Sequence, residues 1–152
     1  MPVKPIPEGF HTVTPYIVAR DASKVIDFLK RAFGAKLAYP PVNRPDGKIM
    51  HADLMIGDSH VMIADENDYA KATPVSLYIY VPDVDGVFRK SVDAGGEIVM
   101  EPADMFYGDR SGTVKDSSGN SWNIATHKED IEPAELAKRA QDFMKQHKPQ
   151  AA

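Results

Sequence analysis

The chain has 152 residues, a formal net charge of −4 and no cysteine. Its length suits one domain with a proper core, and 43% hydrophobic with 26% charged residues is an ordinary balance for a globular protein. The acidic balance and the lack of a basic cluster argue against a nucleic-acid surface or a polybasic membrane patch, and the missing cysteines remove disulfides, thiolate metal sites and cysteine nucleophiles.

The opening "MPVKPIPEGF" reads as an irregular arm with three prolines and lacks the apolar stretch of a secretion signal. No apolar run reaches the roughly 20 residues of a membrane span, so a cytoplasmic protein is expected. "TVTPYIV" (12–18) alternates as a strand does, and Asp21 is placed to cap the helix that follows. Val25, Ile26, Leu29 and Phe33 recur at helical spacing, and Gly34 stops that helix. "KLAYPPV" reads as a strand and "NRPDGK" as a turn; "IMHADLMIGDSHVMIAD" gives two strands about Gly57-Asp58.

The same order then returns. "VSLYIYV" (75–81) is a strand, Asp83 caps a helix closed by Gly95-Gly96, "EIVMEP" is a strand, and "DRSGTVKDSSGNSWNIAT" gives two more about Gly119. Asp21 and Asp83 lie 62 apart, Gly34 and Gly95 61, and Gly57 and Gly119 62. Three landmarks in one order at one spacing imply two copies of a β-α-β-β-β unit, about 12–66 and 75–127, within a single domain over 1–130. Residues 131–147 form an amphipathic helix with Leu136, Ala140, Phe143 and Met144 on one face, to pack on the domain or on a partner subunit. Residues 148–152 are expected to fray.

The stretches "TPYIVARDASKVIDFLKRAFGA", "HADLMIGDSHVMIADE" and "YGDRSGTVKDSSGNSWNIATH" resemble the vicinal oxygen chelate superfamily, and within it the PhnB-like branch of the glyoxalase/bleomycin resistance proteins. The resemblance covers about residues 12–130. It implies an α+β fold of two tandem βαβββ modules forming curved mixed sheets (the glyoxalase/bleomycin resistance/dihydroxybiphenyl dioxygenase fold), with the C-terminal helix appended. It also implies a cavity and a homodimer. One departure stands out. Where the branch usually reads Asp-Pro-Phe-Gly-His, this chain has "DSSGN" at 116–120, which puts any ligand-gripping role of Ser118 and Asn120 in doubt.

Metal-dependent members of the superfamily place ligands at four strand positions. Carried over by the resemblance, these are Thr14, Val61 (or Met62 on a one-residue slip), Ser76 and Asn123. A divalent ion wants imidazole nitrogen or carboxylate oxygen at about 2.0–2.2 Å, and none of these residues offers it. Other candidates are His11, His51, Asp53, His60, His127 and Glu129. His51 and Asp53 share a strand face, whereas alternation sets His11 opposite Thr14 and His60 opposite Val61. The histidines are thus expected at the surface or rim, and neither a metal nor another cofactor is expected.

Alternation puts Thr14, Tyr16 and Val18 on one strand face, Ser76, Tyr78 and Tyr80 on another, and Ser121, Asn123 and Ala125 on a third. The resemblance implies that these line the concave side. Ile17, Leu77, Ile79, Val81, Trp122 and Ile124 point the other way. An aromatic, hydroxyl-bearing wall suits a flat or partly apolar organic ligand, although tyrosines also serve as fillers of a barrel. In "DMFYGDR", Phe106 and Tyr107 offer stacking surface, while Asp109 and Arg110 orient a polar group or pair with each other.

The expected function is metal-independent binding of a small, partly aromatic molecule by Thr14, Tyr16, Ser76, Tyr78, Tyr80, Phe106, Tyr107, Arg110 and Asn123. Two alternatives stand beside it. One is an enzyme of the lyase, isomerase or dioxygenase kind, metal-free or with a rebuilt metal site, using His51, Asp53 or Asp109. The other is a structural dimer whose vestigial cavity is filled by Tyr78, Tyr80 and Trp122.

Overall fold

The computed structural model describes residues 2–147, so the expected fraying at 148–152 lies outside the described residues. The elements are β1 (Tyr16–Ala19), α1 (Ala22–Phe33), β2 (Lys36–Leu37), β3 (Val42–Asn43), β4 (Ile49–Ile56), β5 (Ser59–Asp65), β6 (Ser76–Tyr80), α2 (Val84–Asp93), β7 (Glu97–Asp104), β8 (Asp109–Lys115), β9 (Ser121–His127) and α3 (Pro133–Gln146). One sheet has the order β1-β5-β4-β2, with β3 also on β4; the other runs β6-β9-β8-β7. In each sheet the first strand lies parallel to the last, β1 with β5 and β6 with β9, and the hairpins are antiparallel. The α+β class, the two mixed sheets and the appended helix agree with the resemblance, and neither sheet closes into a barrel.

Two local readings need correction. "KLAYPPV" is not one strand but two short ones, because Pro40 and Pro41 fall between β2 and β3 and have no N–H for the ladder. Asp21 stands at the start of α1 but makes no side-chain cap. Its backbone is left-handed (φ 56°), and the N–H of Ala22 donates to Asp65 Oδ1 at 2.7 Å instead. Asp83 does cap α2, accepting from the Gly86 N–H at 3.1 Å.

One apolar core serves both sheets and helices α1 and α2. α1 buries Val25, Ile26, Phe28 and Leu29, the i, i+3, i+4 stripe of an amphipathic helix. Ile17, Leu54, Ile63, Val114, Trp122 and Ile124 come up from the strands and are fully buried. Phe33 at the end of α1 meets Trp122 of β9 with ring centroids 5.3 Å apart, so the copies interlock. A polar bond joins them as well, the Arg20 N–H donating to Ser118 Oγ at 3.0 Å. The linker is held to the first copy by the Thr73 N–H, which donates to the Val18 carbonyl at 3.3 Å, and within the second copy the Val75 N–H donates to Asn120 Oδ1 at 3.0 Å. Ser118 and Asn120, where the branch carries an aromatic and a histidine, are therefore buried scaffold.

Candidate functional site

Alternation along β6 turns Tyr78 and Tyr80 to one side and Leu77 and Ile79 to the other. Both tyrosines remain exposed, Tyr78 at 43% and Tyr80 at 64%, while Asp109 between them is only 4% exposed. Asp109 Oδ2 accepts from the Tyr78 hydroxyl at 2.7 Å and the Tyr80 hydroxyl at 3.0 Å. Its Oδ1 takes a third bond from His127 Nδ1 at 2.8 Å, because Asp109 and His127 are direct partners across β8 and β9. Tyr107 adds a fourth ring, its hydroxyl 3.4 Å from that of Tyr78.

This geometry sets the charges. Burial pushes the Asp109 carboxyl up, but the bonds from His127, Tyr78 and Tyr80 and the nearby imidazole charge outweigh it and hold Asp109 below the usual carboxylate range. Burial, with its bonds to Tyr107 and Asp109, pushes the Tyr78 phenol well up; the bond to Asp109 and burial raise Tyr80. His127 is raised by Asp109 and by Asp130, whose Oδ1 lies 2.7 Å from Nε2. Three of the roughly four lone-pair directions on Asp109 are used, so it positions tyrosines better than it takes protons. The hydroxyls turn inward to the carboxylate, and what the face presents is ring.

At the other end of the face, Asn123 is tied up too. Its Nδ2 donates to Ser76 Oγ and to the Leu77 carbonyl, each at 3.0 Å, and its Oδ1 accepts from Thr113 Oγ1 at 2.8 Å.

In the first sheet the register decides a point left open by alternation. Tyr16 pairs with Met62, so Met62 shares the Tyr16 face and Val61 is buried in the core. His60 then also lies on the Tyr16 face, against the expectation that neither histidine reaches it. The two-residue turn at Gly57-Asp58 pairs Met55 with His60 and Asp53 with Met62, which brings His60 beside Asp53. His60 Nδ1 is 2.8 and 3.0 Å from the two oxygens of Asp53, itself only 2% exposed. Phe10 of the N-terminal arm stacks on the imidazole with centroids 3.7 Å apart. Beyond them Tyr39, His51 and Tyr16 form a row of rings at 6.3 and 6.0 Å. Thr14 precedes β1, and its hydroxyl is 3.5 Å from the carbonyl of His11.

The remaining candidates disperse. Arg110 neighbours Asp109 in sequence but projects to the opposite face, where it donates to Asp85 at 2.9 and 3.0 Å and to Asp104 at 3.4 Å. The two therefore neither pair nor face one ligand. Phe106 meets Phe143 of α3 at 5.0 Å and Tyr107 edge-on at 5.3 Å. Glu129 pairs with Arg139 of α3. Trp122 is wholly buried on the core side of β9, on the opposite strand face from Asn123.

The donor set of the superfamily's metal positions does not fit a divalent ion. Thr14 and Ser76 offer neutral hydroxyls and Met62 a soft thioether. The Asn123 amide is engaged on both of its atoms. Among the described residues no group of three or more His, Cys, Asp or Glu side chains converges.

The model of the Glyoxalase/Bleomycin resistance protein/Dioxygenase superfamily matches residues 9–124. This chain belongs to that superfamily. An uncharacterized protein of Mycobacterium bovis is 34% identical over 123 residues, covering 74% of this chain and 80% of its own. TioX from Micromonospora sp. ML1 superposes with a TM-score of 0.64 at 29% identity, over 77% of this chain and 98% of its own. A PhnB protein from Bacillus cereus gives a TM-score of 0.60 at 21% identity, over 76% of this chain and 99% of its own, a likeness of fold. Membership fixes the scaffold; superfamily proteins of this fold carry many chemistries, so the ligand must be argued from the site.

Proposed function

We propose that this superfamily member binds a small, flat, partly aromatic organic molecule without a metal, on the face formed by Tyr78, Tyr80, Tyr107 and Asn123. The carrying observation is that the buried Asp109 carboxylate draws the hydroxyls of Tyr78 and Tyr80 inward and leaves their rings exposed at a fixed angle. Rings held in advance lose little freedom on binding, and their faces suit an aromatic or conjugated ligand. Thr14, Tyr16 and the Tyr39–His51 row of the first sheet supply a second aromatic face. Each face is open in one chain, and a second copy closing over it is the arrangement that the superfamily resemblance supports. Arg110 and Phe106 drop out of the binding set, since each is turned to a structural partner.

The test is a thermal-shift and calorimetric screen of planar aromatic acids, quinones and aromatic peptides, with and without divalent metals. Saturable binding that is unchanged by chelator and weakened about tenfold or more in Tyr80→Ala supports the reading. Binding that needs a stoichiometric metal, or that ignores the tyrosines, refutes it.

Turnover is a second reading, favoured by the Asp53–His60 pair. A buried carboxylate fixing imidazole Nδ1 leaves Nε2 as the working nitrogen of an acid–base residue. It requires the Phe10 stack to open, and loss of any detected turnover in His60→Gln is its test.

A further inference from the structure

The residues of β6 that turn away from the tyrosine face wall a second concavity. Leu77 and Ile79 line it, Phe33 adds to its apolar surface with the buried Trp122 beneath, and its volume is about 1020 Å³. Tyr78 and Tyr80 line it as well, since it lies at the open edge of β6, which pairs with β9 on its other side. The space is ample for a drug-sized or lipid-sized molecule.

Its charge is one-sided. Lys30 and Arg31 from the end of α1 and Lys90 from α2 border it, against one carboxylate, Asp58. Arg31 is engaged, 3.5 Å from Asp27 and donating to the Asp93 carbonyl at 3.2 Å, and Asp58 accepts from Ser59 Oγ at 2.8 Å. Lys30 and Lys90 have no carboxylate partner among the described residues. Basic residues in a last helical turn are ordinary complements of the helix dipole. Here two of them, from two helices, border one apolar groove, and that combination matches a ligand with an apolar body and an anionic head.

We propose that this groove is a further binding site, for an amphiphilic anion, a straight apolar chain ending in a carboxylate or phosphate, with Lys30 and Lys90 receiving the head. Its apolar wall is built by Leu77 and Ile79, on the opposite face of β6 from the proposed aromatic site, while Tyr78 and Tyr80 border both; the charge argument does not depend on that site. Either head group satisfies the two ammonium groups; the apolar wall selects for chain length.

The experiment is calorimetric titration of the full chain, at low salt and below micelle concentrations, with octanoate, decanoate, decyl phosphate and decanol. Decanoate and decyl phosphate are expected to bind at one site, about five- to tenfold more tightly than decanol, an advantage that added salt erodes. Each methylene from octanoate to decanoate should tighten binding by up to about fourfold. The double variant Lys30→Glu/Lys90→Glu, both positions exposed on helix surfaces, should lose the preference for the anion while keeping its circular dichroism spectrum. Ile79→Trp should block all three ten-carbon probes. The proposal is overturned if decanol binds as well as decanoate, or if the double variant binds decanoate unchanged. It is equally overturned if sedimentation shows a dimer that Ile79→Glu dissociates, since the groove is then covered by a second copy.

Discussion

Asp109 on β8 and His127 on β9 stand directly opposite each other, and the 2.8 Å bond between Oδ1 and Nδ1 ties the end of the sheet where Tyr78 and Tyr80 converge. The pair carries a pH signature with two limbs. Asp109 is lowered in the fold, so its contribution is present above the ordinary carboxylate value and is lost as pH falls through the lowered one. His127 is raised, so its contribution is full below about pH 6.5 and is lost as pH rises through the raised value. Urea midpoints should therefore form a plateau in mildly acidic solution. His127→Gln should flatten the alkaline limb and Asp109→Asn the acid one, and a wild-type midpoint that does not decline above neutrality contradicts the assignment.

Tyr80→Phe keeps a ring on the face but removes one donor from a buried carboxylate. A loss of about 1–2 kcal/mol in unfolding free energy is expected, with ligand affinity changed by less than about threefold. Tyr80→Ala should cost far more affinity than Tyr80→Phe. Equal losses in calorimetry would show that the hydroxyl, not the ring, meets the ligand.

Asp116 accepts from the Ser118 and Asn120 N–H groups at 2.9 and 3.1 Å, from Asn120 Nδ2, and from Trp122 Nε1 at 2.9 Å. Asp116→Ala strands several buried donors at once, so a loss of about 3 kcal/mol or more is expected by chemical denaturation. Asp116→Asn should restore part of it.

Gly108 turns the chain into β8 with φ 97°, and an added Cβ would lie 2.5 Å from the Glu129 carbonyl oxygen. Gly108→Ala combines strain with a backbone clash and should cost about 1–3 kcal/mol. The Gly108 carbonyl also accepts from the Lys128 and Glu129 N–H groups. Faster hydrogen exchange in this variant should therefore concentrate at 128–130, and a uniform change across the chain would argue against that local link.

Most of the fold was legible because its signals are local and occur twice: Asp83 before α2, Gly34 after α1, the turns at Gly57 and Gly119. Strand faces were legible wherever the register was right, as for Ile17 against Tyr16 and Trp122 against Asn123. His60 was misplaced by one residue of slip, which inverts a strand's faces. Counting outward from the Gly57-Asp58 turn would have set it beside Asp53. Asp109 was visible only as a weak candidate. Its role depends on β6, β8 and β9 meeting from positions 29, 31 and 18 residues away in the chain, which no local pattern records. Arg110 shows the complementary failure, since proximity in sequence suggested a shared task that strand alternation forbids.

The bond from Arg20 to Ser118, with that from the linker Thr73 back to Val18, bears on how the duplicated halves live together. Ser118 of the second half accepts from the Arg20 N–H of the first, both halves supply the one apolar core, and Phe33 completes the surroundings of Trp122. Neither half is expected to fold alone, since each would expose its side of the shared core. The repeats should melt in one calorimetric transition, and a chain cut between them at Lys71 should keep its halves associated rather than release two independent folding units. Duplication here has ended in mutual dependence.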